Sequence, residues 1–217
     1  MARPSKPLIS KASAVAASIE IIDQEGLDAF SLPRLAKQLG VSAPSLYHHF
    51  ADKNAILTAV ARHIGGEAVI RPRMKPGPDW PEYFVKLALS LRQSVLKHRN
   101  AAPVLIEHLP RETLIGSYEQ AAQFLTQSGV PIRMHIEILD GMETLCIGAV
   151  LTEAVHNMRG RRTMFPGVDP TSHPHLAAAT KANDMSVKDL FAQRIRSFLL
   201  GVVTADERAE IHQRTPA

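Results

Sequence analysis

Cysteine is almost absent from the sequence: Cys146 is the only one among 217 residues. One cysteine excludes a disulfide within the chain and a zinc site built from several cysteines. Cys146 lies among apolar residues at helical spacing, where a cysteine is expected to be a buried core residue rather than a nucleophile or redox sensor. Aromatic residues are also scarce, at 5% of the chain. Leucine, isoleucine, alanine and valine dominate instead, as is typical of a helical protein.

The chain lacks long apolar runs, since no stretch approaches the roughly 18 to 20 residues that a membrane-spanning helix needs. Its first residues, MARPSKPLISKAS, are basic but contain no apolar segment of the kind found in secretory signals. We therefore expect a cytoplasmic protein without a membrane partner.

Strand signals are missing as well, because no clean alternation of β-branched residues occurs between turns. Apolar residues recur at helical spacing, which predicts an all-α fold. The predicted N-terminal caps are Ser31, Ser42, Asp52, Asp79 (followed by Glu82) and Ser186. Helices are predicted over residues 10–25, 31–39, 42–50, 53–64, 80–98, 102–108, 111–128, 131–150 and 187–202.

Two stretches rich in proline interrupt the helical pattern. Residues 71–79, RPRMKPGPD, are basic and are interpreted as the joint between two parts of the chain. Residues 159–183 contain several prolines and glycines and are expected to form a long loop with at most one short helix.

The net charge of +4 permits nucleic-acid binding without requiring it. Arg3, Lys6 and Lys11 precede the first acidic residue, Glu20. This N-terminal arm is therefore either a segment that lies along a phosphate backbone or a solvated, frayed end.

The stretch LAKQLGVSAPSLYHHFADK, residues 35–53, contains two short helices separated by Gly40. This spacing predicts a helix-turn-helix whose second helix fits a DNA major groove. Side chains of the second helix can hydrogen-bond phosphates or base edges, and Lys53 at the start of the next helix can hold a phosphate. An ordinary α-hairpin with a polar surface is the alternative.

The same region resembles the DNA-binding domain of the TetR family of bacterial transcriptional regulators. The resemblance rests on G-V-S-x-x-x-L-Y-x-H-F-x-x-K, from Gly40 to Lys53, and covers about residues 8–68. It implies that Tyr47 and Lys53 contact phosphates and that Ala43, Pro44 and His48 read bases. The full set of DNA-binding residues that it implies is Ser31, Leu32, Arg34, Ser42, Ala43, Pro44, Ser45, Tyr47, His48, His49 and Lys53.

Residues 79–205 are similar to the ligand-binding and dimerisation core of the tetracycline repressor subgroup. The similarity is carried by DWPEYFVKLALSLRQSVLKHRNAAPVL and YEQAAQFLTQSGVP. It implies a homodimer in which the long helix after Pro131 and the last helix form a four-helix interface, although some of these residues can instead belong to the core of one subunit. The interface residues that it implies are Ile136, Leu139, Leu145, Ala149, Phe191, Ile195, Phe198 and Val202.

The sequence departs from that subgroup where a magnesium–drug chelate would bind. The matching positions are Leu87, Leu91, Leu105, Leu109 and Thr144, which are almost all apolar. Burying unpaired polar ligand atoms there costs about 1 to 3 kcal/mol each. We therefore expect a small, largely apolar effector rather than tetracycline–magnesium, with His108, Thr144 or Thr152 as polar anchors.

The sequence thus predicts a homodimeric, ligand-responsive regulator that binds a pseudo-palindromic operator, with repression as the usual mode of the family. The alternative is an architectural DNA-binding protein without an effector. An enzyme is not expected, because the sequence contains no phosphate loop, nucleotide fingerprint or nucleophile with a plausible base. No cofactor or metal is expected either; His48 and His49 diverge on a helix, and His173 and His175 lie in the predicted loop.

Overall fold

The computed structural model describes residues 9–68, 73–108, 111–158, 165 and 167–203. These residues form α-helices and short 3-10 turns without any β-strand, which confirms the all-α prediction. The helices are α1 (Lys11–Glu25), α2 (Leu32–Leu39), α3 (Ala43–Tyr47), α4 (Lys53–Ala68), α5 (Trp80–Lys97), α6 (Ala102–His108), α7 (Arg111–Gln127), α8 (His135–Met158), α9 (Pro174–Ala182) and α10 (Val187–Val202).

Three of the predicted caps are made. The Ser31 hydroxyl accepts a hydrogen bond from the N–H of Arg34 at 3.3 Å, and an Asp52 carboxylate oxygen accepts one from the N–H of Ala55 at 2.7 Å. The Ser186 hydroxyl likewise accepts from the N–H of Asp189 at 3.1 Å. Each bond satisfies an N–H group that has no partner within its own helix.

Two predicted caps are wrong. Asp79 has φ −83° and ψ 18°, outside the extended region that a capping residue needs, and its side chain makes no capping bond. Glu82 instead pairs with Arg196 of α10, with Oε1 2.5 Å from Nε. Ser42 stands at the N-terminus of α3, but its hydroxyl bonds the Ser45 hydroxyl at 2.8 Å rather than a backbone N–H.

Several helix ends differ from the prediction. The helix predicted to end near residue 50 stops at Tyr47, and α4 continues through both Gly65 and Gly66. The long helix begins at His135, after a 3-10 turn. The predicted loop contains one short helix, α9, in agreement with the prediction of at most one. Residues 159–164 and 166 lie outside the described part of the chain.

The N-terminal helices are attached to the C-terminal ones by packing and by polar contacts. Helix α4 packs against α5 and α6, and α1 packs against the 3-10 turn that follows α5. The buried Ser94 hydroxyl donates to the carbonyl of Ile64 at 2.7 Å. Nδ1 of His98 lies 2.7 Å from a carboxylate oxygen of Asp23, and Asn100 donates to the Asp23 carbonyl at 2.8 Å. A displacement of α4 or α5 therefore affects both the N-terminal and the C-terminal helices.

Helices α5, α8 and α10 form the centre of the C-terminal part. Phe191, Ile195 and Leu199 of α10 are buried. Where α8 and α10 pack, a Cβ on Gly141 would lie 2.2 Å from the Phe198 ring, so glycine is what allows their close approach. None of the described helices has the length and apolarity needed to cross a membrane.

Candidate DNA-binding surface and ligand cavity

The turn between α2 and α3 is built on Gly40. Its φ of 65° and ψ of 33° place it in the left-handed region, which glycine adopts without a Cβ clash. The N–H of Val41 then bonds the carbonyl of Ala36 at 3.0 Å, which closes the end of α2. The predicted role of Gly40 as the turn residue is confirmed.

Buried apolar side chains hold the two helices at a fixed angle. Leu35 of α2 is 0% exposed and Leu46 of α3 is 1% exposed. Phe30 and Phe50, which flank the motif, are buried with them. A helix as short as α3 has little stability of its own, so this packing determines its orientation.

The opposite face of α3 is open to solvent. Tyr47, a large aromatic side chain, is 56% exposed. Pro44 and His48 are also exposed. The remaining predicted residues of this segment are Ser42, which is exposed, and Ala43, Ser45 and His49, which are half-buried. Two of the predicted base-reading residues, Pro44 and His48, and the predicted phosphate-contacting Tyr47 are therefore open to solvent on α3.

Lys53, the other residue predicted to contact a phosphate, is a positive charge at the start of α4. It is exposed at the first residue of α4, and its ammonium lies 5.7 Å from the centre of the Phe30 ring. The N-terminus of a helix also carries a partial positive charge, which together with a lysine favours a phosphate.

The three predicted residues at the start of α2 are placed differently. Ser31 uses its hydroxyl as a helix cap, and Leu32 packs partly against the core. Arg34 forms a two-pronged ion pair with Glu25, in which its Nε lies 3.1 Å from Oε1 and 3.2 Å from Oε2. Its hydrogen bond to Glu25 raises the pKa of the Arg34 guanidinium and lowers that of the Glu25 carboxyl. Arg34 therefore links α2 to the end of α1. The sequence did not predict this ion pair.

A cavity of about 190 Å³ lies between α5, α7 and α8, and Gly65 of α4 and Leu105 of α6 complete its lining. Its walls are apolar, apart from Ser117, Tyr118 and Glu143. The lining residues are Gly65, Phe84, Leu87, Ala88, Leu91, Val95, Leu105, Leu114, Ser117, Tyr118, Ala121, Leu139, Met142, Glu143, Cys146, Ile147, Val150 and Leu151.

The polar groups of the cavity are concentrated at one edge. The Tyr118 hydroxyl donates a hydrogen bond to the Glu143 carboxylate, which joins α7 to α8. Cys146 does not add to this polarity, because burial raises the pKa of its thiol to about 12 and keeps it neutral.

The predicted ligand residues fall into two groups. Leu87, Leu91 and Leu105 line the cavity. Thr144 and Thr152 do not: both are exposed on α8, and the Thr152 hydroxyl donates to the carbonyl of Gly148 at 2.7 Å.

Thr144 and Thr152 miss the cavity because successive side chains on a helix point about 100° apart. The neighbours Glu143 and Leu151 face the cavity in place of the two threonines. His108 also lies outside the lining and stands 3.7 Å from a carboxylate oxygen of Glu107. Leu109 lies outside the described residues.

Tyr118 and Glu143 were not found from the sequence, although a signal was present. Ser117, Tyr118 and Ala121 recur at the spacing of one helix face, as do Glu143 and Cys146. No group of three or more histidine, cysteine, aspartate or glutamate side chains in the described residues lies close enough together to hold a metal ion.

Comparisons with known proteins agree with this geometry. Residues 14–60 match the family described as "Bacterial regulatory proteins, tetR family", and residues 72–205 match "Tetracyclin repressor-like, C-terminal domain". The tetracycline repressor protein class D of Escherichia coli is 27% identical over 148 residues, which is 68% of each chain. The class A protein from transposon 1721, also of Escherichia coli, is 28% identical over 176 residues, or 81% of each chain.

Solved structures give the same result. The Streptomyces coelicolor TetR family protein ActR, in complex with actinorhodin, superposes with a TM-score of 0.71 at 25% identity. The alignment covers 89% of this chain and 96% of that one. With a helix-turn-helix at residues 32–47 and a C-terminal match that spans more than half of the sequence, the chain belongs to the TetR family of bacterial transcriptional regulators.

Proposed function

We propose that this regulator is a homodimeric repressor that binds a pseudo-palindromic operator and is released by a small, largely apolar effector. Residues 8–68 form its DNA-binding domain, and residues 79–205 its ligand-binding and dimerisation domain. The observation that carries the proposal is the pairing, in one chain, of an exposed α3 surface with an apolar cavity. In this proposal the protein acts on double-stranded DNA in the cytoplasm and is not an enzyme.

The path of α4 connects the two sites. Helix α4 begins with Lys53, six residues after the end of α3, and its Gly65 lines the cavity. Twelve residues of helix correspond to about 18 Å, so α4 spans the distance between DNA and ligand as one rigid rod. A ligand that displaces its Gly65 end also moves Lys53 and the attached recognition surface.

The dimer is supported by apolar side chains that one subunit leaves exposed. Ile136 of α8 is 76% exposed and Leu145 is 38% exposed, while Leu200 of α10 is 37% exposed. Leu200 was not among the predicted interface residues, and two that were, Phe191 and Ile195, are buried within the subunit. A second copy that covers the α8 and α10 faces would place two α3 helices in successive major grooves, about 34 to 36 Å apart.

The apolar lining supports an apolar effector and disfavours tetracycline–magnesium. A hydrated metal chelate would leave several polar atoms unpaired against leucine, methionine and phenylalanine side chains. For a strong switch, the effector must prefer one state of the dimer by about 5.5 kcal/mol. An architectural DNA-binding protein is the weaker alternative, because it has no use for such a cavity.

Footprinting on the DNA upstream of the coding region tests the proposal. We expect a short protected site with two-fold symmetry, which the Tyr47→Phe/Lys53→Ala double variant no longer protects. Lys181→Ala, which removes an exposed cation on α9, serves as the control and leaves the footprint unchanged. Sequence-independent coating of the fragment, or equal protection by the double variant, would contradict the proposal.

A further inference from the structure

The volume of the cavity limits what it can hold. A dry cavity of about 150 Å³ accommodates benzene, whereas sites for drug-sized ligands have volumes of roughly 300 to 1,000 Å³. At about 190 Å³, this cavity is only slightly larger than one aromatic ring requires. We propose that the effector is a compact apolar molecule of one or two rings, or of equivalent aliphatic size, that carries a single hydroxyl or carbonyl group. This inference rests on the proposed role of the cavity as the effector site.

The walls of the cavity are braced against expansion. Leu87 and Leu91 project from α5, which is tied to α10 by the Glu82–Arg196 pair and to α8 by the Arg92–Glu153 pair. In the second pair, Nε of Arg92 lies 2.8 Å from one carboxylate oxygen of Glu153, and both side chains are largely buried. Close-packed interiors resist the insertion of extra volume, so larger ligands must disturb these contacts.

The same wall contains three further side chains that are fully packed. Phe84, Ala88 and Val95 are each at most 2% exposed. Because these side chains are closely packed, the α5 wall of the cavity resists displacement by a larger ligand.

Ser117 indicates where the polar group of the ligand lies. Ser117 is part of the lining, and its side chain makes no hydrogen bond to any other described residue. It can therefore bond one hydroxyl or carbonyl oxygen of a ligand. The two other polar side chains of the lining, Tyr118 and Glu143, already bond each other. Away from these groups, a second polar group of the ligand would meet apolar side chains and lose its hydration without compensation.

Calorimetric titration of the full-length protein tests the size limit. The probes are p-cresol, naphthol and phenanthrol, which have one, two and three rings and one hydroxyl each; tetracycline with magnesium is the fourth. We expect p-cresol and naphthol to bind, and phenanthrol and tetracycline to bind at least about tenfold more weakly than naphthol. Equal or tighter binding of tetracycline, or no binding of either smaller probe near its solubility limit, would overturn the inference.

Two leucines of α5 provide a matched pair of variants. Leu91→Ala enlarges the cavity and should therefore raise the affinity for phenanthrol, relative to that for naphthol, by about fivefold. Leu89→Ala, two residues away, removes the same atoms from outside the lining and should leave this ratio unchanged. Thermal unfolding of both variants shows whether each remains folded. An unchanged ratio in a folded Leu91→Ala variant would overturn the inference.

Ser117→Ala tests the polar group. p-Xylene has a methyl group in place of the hydroxyl of p-cresol. The Ser117→Ala variant should reduce the ratio of the affinities for p-cresol and p-xylene by about fivefold, the effect expected for one neutral hydrogen bond. An unchanged preference would contradict the role of Ser117. Release of labelled operator DNA by the same probes is measured separately. Probes that bind within the size limit but leave the operator bound would refute the effector role while the size inference stands.

Discussion

Gly40 shows how one residue fixes the geometry on which DNA binding depends. Its φ of 65° is costly for a residue with a Cβ, although no neighbouring atom lies within 4 Å of the place where that Cβ would be. We expect Gly40→Ala to lower the free energy of unfolding by about 1 to 2 kcal/mol, measured by urea denaturation.

Gly66 is the matched control for that prediction. It lies within α4, its backbone is not left-handed, and a Cβ there would also meet nothing within 4 Å. Gly66→Ala should therefore raise the free energy of unfolding, by about 0.5 to 1 kcal/mol. The account of the turn would be wrong if both variants changed stability in the same direction.

Lys53 is expected to act on DNA through charge alone. Lys53→Ala should weaken binding to specific and unrelated DNA by similar factors, because a phosphate contact carries no sequence information. The slope of log K against log salt should become shallower by about 0.9 for each subunit bound. Fluorescence anisotropy at several salt concentrations measures both effects. A loss confined to one sequence, with an unchanged slope, would mean that Lys53 does not contact a phosphate.

Between elements, the ion pair of Glu82 and Arg196 makes the α5–α10 contact sensitive to acid. The hydrogen bond from Arg196 lowers the pKa of the Glu82 carboxyl below its ordinary value of about 4.5. The stabilisation is therefore fully present above that value and is lost as pH falls through the lowered pKa.

Glu82→Gln should lower the free energy of unfolding by about 0.5 kcal/mol at neutral pH, because both partners are about one-third exposed and screened by solvent. The difference from the unsubstituted protein should shrink towards zero in acid. Glu119→Gln, at an exposed position of α7 without an ion pair in the described residues, should show no such trend. A difference that grows as the pH falls would contradict the assigned sign.

Local elements could be predicted from the sequence because their determinants are local. Ser31 caps α2, and Gly40 ends it, within ten residues of each other. The start of α5 was also predicted, but its capping was not, because Glu82 pairs with Arg196, 114 residues away, rather than with its own helix end.

The cavity could be predicted only in part, because its walls come from several helices. Leu87, Leu91 and Leu105, which the resemblance to the tetracycline repressor subgroup implied, do line it. The polar anchors Thr144 and Thr152 were each one residue from a side chain that faces inward, and on a helix one residue decides the direction. Only the packing of α7 against α8 brings Tyr118 to Glu143.

For the whole molecule, the central claim is that two α3 helices of one dimer enter neighbouring major grooves. Selection of bound duplexes from a random-sequence DNA library, followed by sequencing, tests this claim most directly. The account predicts an inverted repeat whose half-site centres are one helical turn, about 10 to 10.5 base pairs, or a multiple of it apart. Recovery of a single half-site without symmetry, or of no enriched sequence, would contradict it.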